Sequence, residues 1–242
     1  MRQAVVLAGG EGTRLRPYTA VIPKPLMPVG DRPILEIVLL QLGRAGFTHV
    51  TLATGYRAEL IKAFFGDGSN YGLELRYVRE DTPLGTVGAL ALIDGLDEPF
   101  LVMMGDVLTD LDYAMLLRRH VRSDALVTIA TTRKQVDITL GVPRIDSSDR
   151  LTDFVEKPAI HVDASMGVYA FSPGVLRYIE RHVRLDFPDL VHRLLDAGET
   201  VRAWQPEAYW LDIGRHEDYD RAMDEFERMR DRLVPETGPV RR

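Results

Sequence analysis

Short apolar runs recur through the first half of the chain, each followed by a stretch where apolar positions return every three or four residues. Residues 4–8, 49–54, 73–78 and 100–104 read as buried strands, and residues 33–45, 58–65 and 86–93 as helices. Asp31 lies near the start of the first helix, Pro33 falls in its first turn and Gly46 sits just past its end; Gly66 closes the second helix. Strands alternating with helices predict right-handed crossovers, hence an α/β fold with a mixed, mainly parallel central sheet covered by helices on both faces. Past residue 124 the pattern changes. Strand-like runs at 125–131, 140–145, 151–156 and 166–171 are separated by turns, and Asp146-Ser147-Ser148-Asp149 is a hairpin turn. Short helices at 173–179 and 187–197, a strand at 201–204 and a charged amphipathic helix at 217–233 complete the chain, with 235–242 as a frayed tail. With no linker or low-complexity segment, the expected organisation is one domain over 1–242, its halves 1–124 and 125–234, with no hexapeptide repeats following.

The first apolar run ends at Gly9, Gly10 and Gly12, three glycines in four positions. A loop without side chains lets backbone N–H groups approach an anion closely. Arg14 follows at once, and Lys24 stands between Pro23 and Pro25. The loop is neither of two familiar phosphate cradles. A dinucleotide fingerprint would need glycine where Leu15 stands, and a Walker A loop would end in Gly-Lys-Ser/Thr.

Bulk properties narrow the field. The chain has 242 residues, a formal charge of −6 and no cysteine. The acidic balance argues against a general nucleic-acid surface, so positive charge at an anion site must be local. The lack of cysteine removes disulfides and thiolate metal sites. There is no membrane-length apolar run and no signal-peptide pattern, so a cytoplasmic location is expected, with no membrane or nucleic-acid partner.

The pattern G-x-G-T-R-L-x-P followed by P-K-P-L-M-P resembles the signature of the sugar-1-phosphate nucleotidylyltransferases, and further matching motifs extend the resemblance to Asp212. It implies a Rossmann-like α/β fold with a small β-rich sugar-binding part. The implied reaction moves a nucleotidyl group from a nucleoside triphosphate to a sugar 1-phosphate and releases pyrophosphate. Leu7, Ala8, Gly9, Gly10, Gly12 and Thr13 would line the nucleotide. Arg14, with its planar fork, suits the β and γ phosphates, and the resemblance places Lys24 at the α phosphate. Asp106 follows an apolar strand, at the carboxyl end where open α/β sheets bind ligands. In the family the aspartates matching Asp106 and Asp212 hold the catalytic metal, which implies Mg²⁺. Asp110 and Asp112 match a glycosyltransferase-like Asp-x-Asp spacing, but are read as caps of the next helix.

On the acceptor side the resemblance assigns Glu156 to sugar hydroxyls, Lys157 to the sugar phosphate, and Gly141 and Gly167 to close backbone approach. Tyr169 stays open between core and contact. Two departures bear on the sugar: Leu140 stands where many members have Tyr, and Ser165 where many have Asn. Ordinary mannose or glucose is therefore only one choice beside deoxy, amino, heptose or carbocyclic phosphates. The segment from Glu80 to Thr86, including Gly85, matches the part that reads the base. An ionised Glu80 only accepts hydrogen bonds, which suits the adjacent N1–H and N2 donors of guanine and favours GTP over pyrimidine nucleotides. A catalytically silent regulatory homologue is the rival class, and a homo-oligomer is left open.

Overall fold

The computed structural model describes residues 2–234, so the predicted tail at 235–242 lies outside the described residues. Strand β1 (Gln3–Ala8) enters the glycine loop, and 3-10 turns at Thr13–Leu15, Tyr18–Ala20 and Lys24–Leu26 lead to a ribbon of β2 (Pro28–Val29) and β3 (Arg32–Pro33). There follow α1 (Ile34–Arg44), β4 (His49–Thr54), α2 (Ala58–Phe65), β5 (Glu74–Arg79), β6 (Phe100–Met104), β7 (Val107–Thr109) and α3 (Tyr113–Val121). The second half contains β8 (Val127–Asp137), β9 (Gly141–Ile145), β10 (Leu151–Glu156), β11 (Ala159–Phe171), α4 (Phe187–Asp196), β12 (Val201–Trp204), β13 (Trp210–Asp212) and α5 (His216–Leu233).

Seven strands form the central sheet in the order β12-β8-β11-β6-β1-β4-β5. Only β11 runs against its neighbours; the other pairings are parallel. Alternation along β1 explains the layering. Ala4, Val6 and Ala8 join Leu39, Ile61 and Leu116 from α1, α2 and α3 in one core cluster. Val5 faces the opposite side, with Leu190 and Leu194 of α4 and the aromatic rings of Phe100 and Phe171. A sheet buried on both faces needs continuous apolar strands, as the sequence shows. A third cluster lies off the sheet: Leu15, Met27, Ile34, Leu108, Leu211 and Phe226 bind the glycine-loop segment to β7, β13 and α5.

Three expectations need correction. Residues 86–93 are not an α-helix; only Gly88–Leu92 curl, as a 3-10 segment. Its internal hydrogen bonds span three residues, Leu90 N to Val87 O at 3.0 Å and Ile93 N to Leu90 O at 3.2 Å, the tighter 3-10 pattern. The apolar positions Val87, Ala89 and Leu90 mark burial in the core rather than a regular helix. Pro173–Tyr178 is likewise a 3-10 segment. Asp112 does cap α3, accepting from Met115 N at 2.8 Å, but Asp110 does not. It accepts from Tyr209 N at 2.8 Å and pairs with Arg232, tying the start of β13 and the end of α5 to the sheet.

Beyond the sheet, β8 and β11 continue as a two-stranded arm. Its outer part is polar at Arg133, Lys134 and Gln135, which hid these strand extensions from an apolar-run criterion. The β9–β10 hairpin, closed at Asp146–Asp149, is a separate two-stranded sheet. Its large apolar side chains face outward, Phe154 being 56% exposed and Leu140 just before it 72%.

Candidate active site

The carboxyl ends of β1, β4 and β6 meet at one edge of the sheet. Gly9 follows β1 in close contact with Glu80: a Cβ there would lie 2.8 Å from Glu80 Oε1 and displace that carboxylate, and 3.5 Å from Gly55 N. Tyr56 N donates to Gly9 O, holding the loop against the end of β4. Gly12 adopts φ 63, and a Cβ would come within 2.9 Å of Thr19 and 3.1 Å of Lys24. Its carbonyl accepts from Thr19 Oγ1 at 2.8 Å and from Leu15 N at 2.9 Å. The loop thus turns tightly at Gly12 through Thr13, anchors on buried Leu15 and leads Arg14 outward. Glycine at 12 is required twice, by backbone conformation and by contact with Lys24.

Lys24 is the clearest anomaly of the core, a charged residue only 8% exposed. Its ammonium donates to Asp106 Oδ2, while Asp106 Oδ1 is buried without a hydrogen-bond partner among the described residues. Burying a charge is costly unless it is paired, so Lys24 and Asp106 stabilise each other. Asp212 reaches the same place by topology. β13 pairs antiparallel with β7, which sets Asp212 opposite Val107, and Ile213 N donates to Asp106 O at 3.2 Å. Burial pushes the Asp212 carboxyl above the usual carboxylate range, and neighbouring Asp106 raises it further, while Lys24 and Arg14 oppose the shift. Arg14 Nη1 would lie 3.8 Å from a Cβ at Gly214, beside Asp212 and Asp218. Two carboxylates forced together, one with an unsatisfied oxygen, suit a divalent cation. Among the described residues no three acidic or imidazole side chains converge, so protein would supply two ligands, as is usual for Mg²⁺.

A cavity of about 420 Å³ opens beside this centre, lined by Leu7, Gly9, Gly10, Glu80, Gly85 and Thr86 among others. Ala8, at the end of β1, is buried behind it. Glu80 Oε2 accepts from Leu84 N at 2.8 Å. Burial raises the Glu80 carboxyl and the Leu84 N–H partly offsets this. Gly85 has φ 79, and a Cβ there would lie 2.6 Å from Leu185 O.

The acceptor-side positions divide. Gly167, at φ 71, sits where the β11 register shifts, and its Cα side faces Met104, whose Cγ would be 3.0 Å from a Cβ. Met104 also lines the cavity, so Gly167 belongs to the same edge. Trp210 Nε1 fixes this bulge by donating to Met166 O at 2.8 Å. Gly141 and Glu156 are register partners on the hairpin, and a Cβ at 141 would lie 2.9 Å from Glu156 Oε2. Lys157 follows at φ 46, an uncommon left-handed conformation for a residue with a side chain. Glu156 and Lys157 are exposed, and no described hydrogen bond or ion pair joins either to Asp106 or Asp212. Tyr169 is core: it is 6% exposed and stacks on Phe187 with ring centroids 3.9 Å apart.

Sequence reasoning passed over Gly55, Asp186 and Gly214. Gly55 follows β4, and a Cβ there would strike Gly9 O at 2.8 Å; its place after an apolar strand was a usable signal. Asp186 reads from sequence as an ordinary helix cap, and nothing local announces its contact with Thr86, 100 positions earlier.

Fold and site together define an α/β protein with a tight glycine loop and, beside it, a buried Lys24–Asp106 pair with Asp212 folded in at the carboxyl edge of its sheet. The chain belongs to the nucleotidyl transferase family, whose model matches residues 3–228. It is 38% identical over 229 residues to the mannose-1-phosphate guanylyltransferase of Mycobacterium tuberculosis, covering 90% of this chain and 62% of that protein. It is 32% identical over 241 residues to the UTP–glucose-1-phosphate uridylyltransferase of a Synechocystis strain, covering 91% of this chain and again 62% of the relative. The chain thus spans less than two thirds of these relatives' length. HddC from Yersinia pseudotuberculosis, in a crystal structure with GMP-PN, superposes with a TM-score of 0.71 at 27% identity, over 93% of this chain and 100% of that one.

Proposed function

We propose that this chain transfers a nucleotidyl group from a nucleoside triphosphate to a sugar 1-phosphate, giving a nucleoside diphosphate sugar and pyrophosphate. The observation that carries the reading is Lys24, buried against Asp106 with Asp212 folded in beside it. A lysine so placed has a task at the α phosphate, where charge builds as the sugar phosphate attacks in line. The sugar phosphate is already ionised at neutral pH, so no base is required. Backbone N–H groups of Gly10 to Thr13 and the fork of Arg14 hold the β and γ phosphates. Asp106 and Asp212 would hold Mg²⁺, which neutralises the departing pyrophosphate when bound. Residues 1–124 serve mainly the nucleotide and 125–234 mainly the acceptor, with Gly141, Glu156, Lys157 and Gly167 turned to the sugar phosphate.

GTP is the favoured nucleotide in this reading. Glu80 lines the cavity, and its carboxylate has acceptor capacity beyond Leu84 N for the N1–H and N2 donors of guanine. The guanylyltransferase relative and the GMP-PN complex of HddC support this choice. A silent regulatory homologue fits less well, because Arg14, Lys24, Asp106 and Asp212 are all retained. A panel of GTP, UTP, dTTP and CTP against sugar 1-phosphates, read by pyrophosphate release, tests both statements. GTP gives the highest kcat/KM and Glu80→Gln erodes that preference; no release with any pair overturns the reaction, and a pyrimidine preference in the wild type overturns the base assignment.

A further inference from the structure

Helix α4 opens in an unusual way. An aspartate at a helix N-cap normally accepts from an N–H of its own first turn. Asp186 occupies the N-cap of α4 and makes no such bond. Its Oδ1 reaches out to accept from Thr86 N at 3.0 Å, and Thr86 Oγ1 in return accepts from Phe187 N at 2.6 Å. Each segment therefore caps the other. Leu185 N donates to Leu84 O at 2.9 Å, and Leu185 O accepts from Val87 N at 3.1 Å, closing the seam on both sides of Thr86. Gly85 is clamped within it, since a Cβ there would lie 2.8 Å from Asp186 Oδ1. The second Asp186 oxygen pairs with Arg184 at 3.1 Å.

This seam forms one wall of the cavity that Glu80 lines, and Asp186 lines the cavity too. The connection is short: Glu80 Oε2 holds Leu84 N, Leu84 O holds Leu185 N, and Asp186 holds Thr86 N. The height of the Gly85-Thr86 peptide against Glu80 is thus set from α4, a part of the acceptor half of the chain.

We infer that Asp186 is a positioning residue for nucleotide selectivity: its carboxylate fixes the Gly85-Thr86 edge against Glu80 and so sets which base the cavity accepts. This rests on the proposed function for the identity of the cavity and adds to it a residue outside the nucleotide half. Asp186→Ala leaves the Thr86 N–H without its acceptor and frees the edge to shift. Asp186→Asn keeps an oxygen in place while removing the charge that faces Arg184.

The test compares wild type, Asp186→Ala and Asp186→Asn by calorimetric binding of GTP and of UTP with Mg²⁺, followed by steady-state kinetics for each nucleotide. Asp186→Ala weakens GTP binding by about tenfold, the scale of one lost hydrogen bond to a charged group, and narrows the GTP-to-UTP ratio. In turnover the loss falls on KM for the nucleotide, with kcat within about threefold of wild type. Asp186→Asn restores both the affinity and the ratio. An unchanged GTP-to-UTP ratio in Asp186→Ala, with only a lower melting temperature, overturns the inference and leaves Asp186 a helix cap. So does an Asn variant as impaired as the Ala variant. Should Asp186→Ala fail to fold, Thr86→Val removes the reciprocal bond from the other side and must shift the same ratio. Binding needs no acceptor, so a wild type that binds GTP selectively but releases no pyrophosphate would sink the proposed reaction without touching this inference.

Discussion

The nucleotide side and the acceptor arm are built on opposite plans. Around the glycine loop the inner candidates are held by close packing, Gly12 by Thr19 and Lys24, Lys24 by Asp106, Asp212 by the pairing of β13 with β7, while Gly10, Thr13 and Arg14 are exposed. Beyond the arm, Gly141 and Glu156 face each other across the separate β9–β10 hairpin, which buries little. The first plan suits a step that must always be the same, where a displacement of about 1 Å costs rate. The second suits recognition of a variable partner, because an exposed hairpin can change its side chains without disturbing the core. On the proposed reading, the chemistry sits on the sheet and the acceptor choice on an outgrowth of it.

Four experiments bear on that contrast. Asp106→Asn and Asp212→Asn carry the largest expected effect, each lowering kcat by about 10²–10³-fold; the melting temperature stays near that of wild type in Asp212→Asn and falls in Asp106→Asn, which leaves the Lys24 ammonium buried without its counter-ion. Wild-type turnover in either variant, with Mg²⁺ still required, would remove that residue from the centre. Next come the two cations. Lys24→Ala lowers kcat by about a hundredfold, whereas Arg14→Ala raises KM for the nucleotide by about tenfold with a smaller change in kcat. Equal losses confined to kcat in both would show that they share one role. On the hairpin, Glu156→Gln raises KM for the sugar phosphate by about tenfold, with nucleotide KM and melting temperature unchanged. A drop in melting temperature instead would mean that the hairpin is more deeply integrated than its exposure implies.

The smallest effect is one of pH. His120 is buried between Thr128 Oγ1 and Ser172 Oγ, and burial lowers its imidazole from 6.5 to about 4. Between these values the unfolded chain binds the proton first, so the contribution to stability is complete above 6.5 and declines as pH falls toward 4. Melting curves across that window decline in the wild type and flatten in His120→Asn. Hydrogen exchange in the β9–β10 hairpin stays insensitive to the same change, since His120 joins α3 to the sheet and not to the arm.

The same contrast explains what could be read from the chain before its fold was known. β1, β4, β6, α1 and α2 were legible because a sheet covered on both faces needs unbroken apolar strands and one-sided helices. The outer halves of β8 and β11 were not, since Arg133 to Gln135 carry no apolar signal and pair only with each other's strand. Residues 86–93 misled for the converse reason: burial of Val87, Ala89 and Leu90 in a short 3-10 segment gives an apolar spacing that mimics a helix. At the site, Lys24 and Asp106 could be proposed from local motifs, but their pairing and the approach of Asp212 depend on a strand contact that no local pattern encodes. Asp186 was hidden more completely, because its side chain leaves the helix whose start it marks.

The Lys24–Asp106 pair also has a thermodynamic consequence. Each is the other's counter-ion, so neither is free to meet a newcomer without a debt of charge. A divalent cation held by the carboxylate would free the ammonium, and a phosphate held by the ammonium would free the carboxylate. Each arrival thus makes the next easier, and linkage requires the favour to be mutual. On the proposed reading, metal and nucleotide raise each other's affinity by one common factor, with a single internal ion pair as the coupling between them.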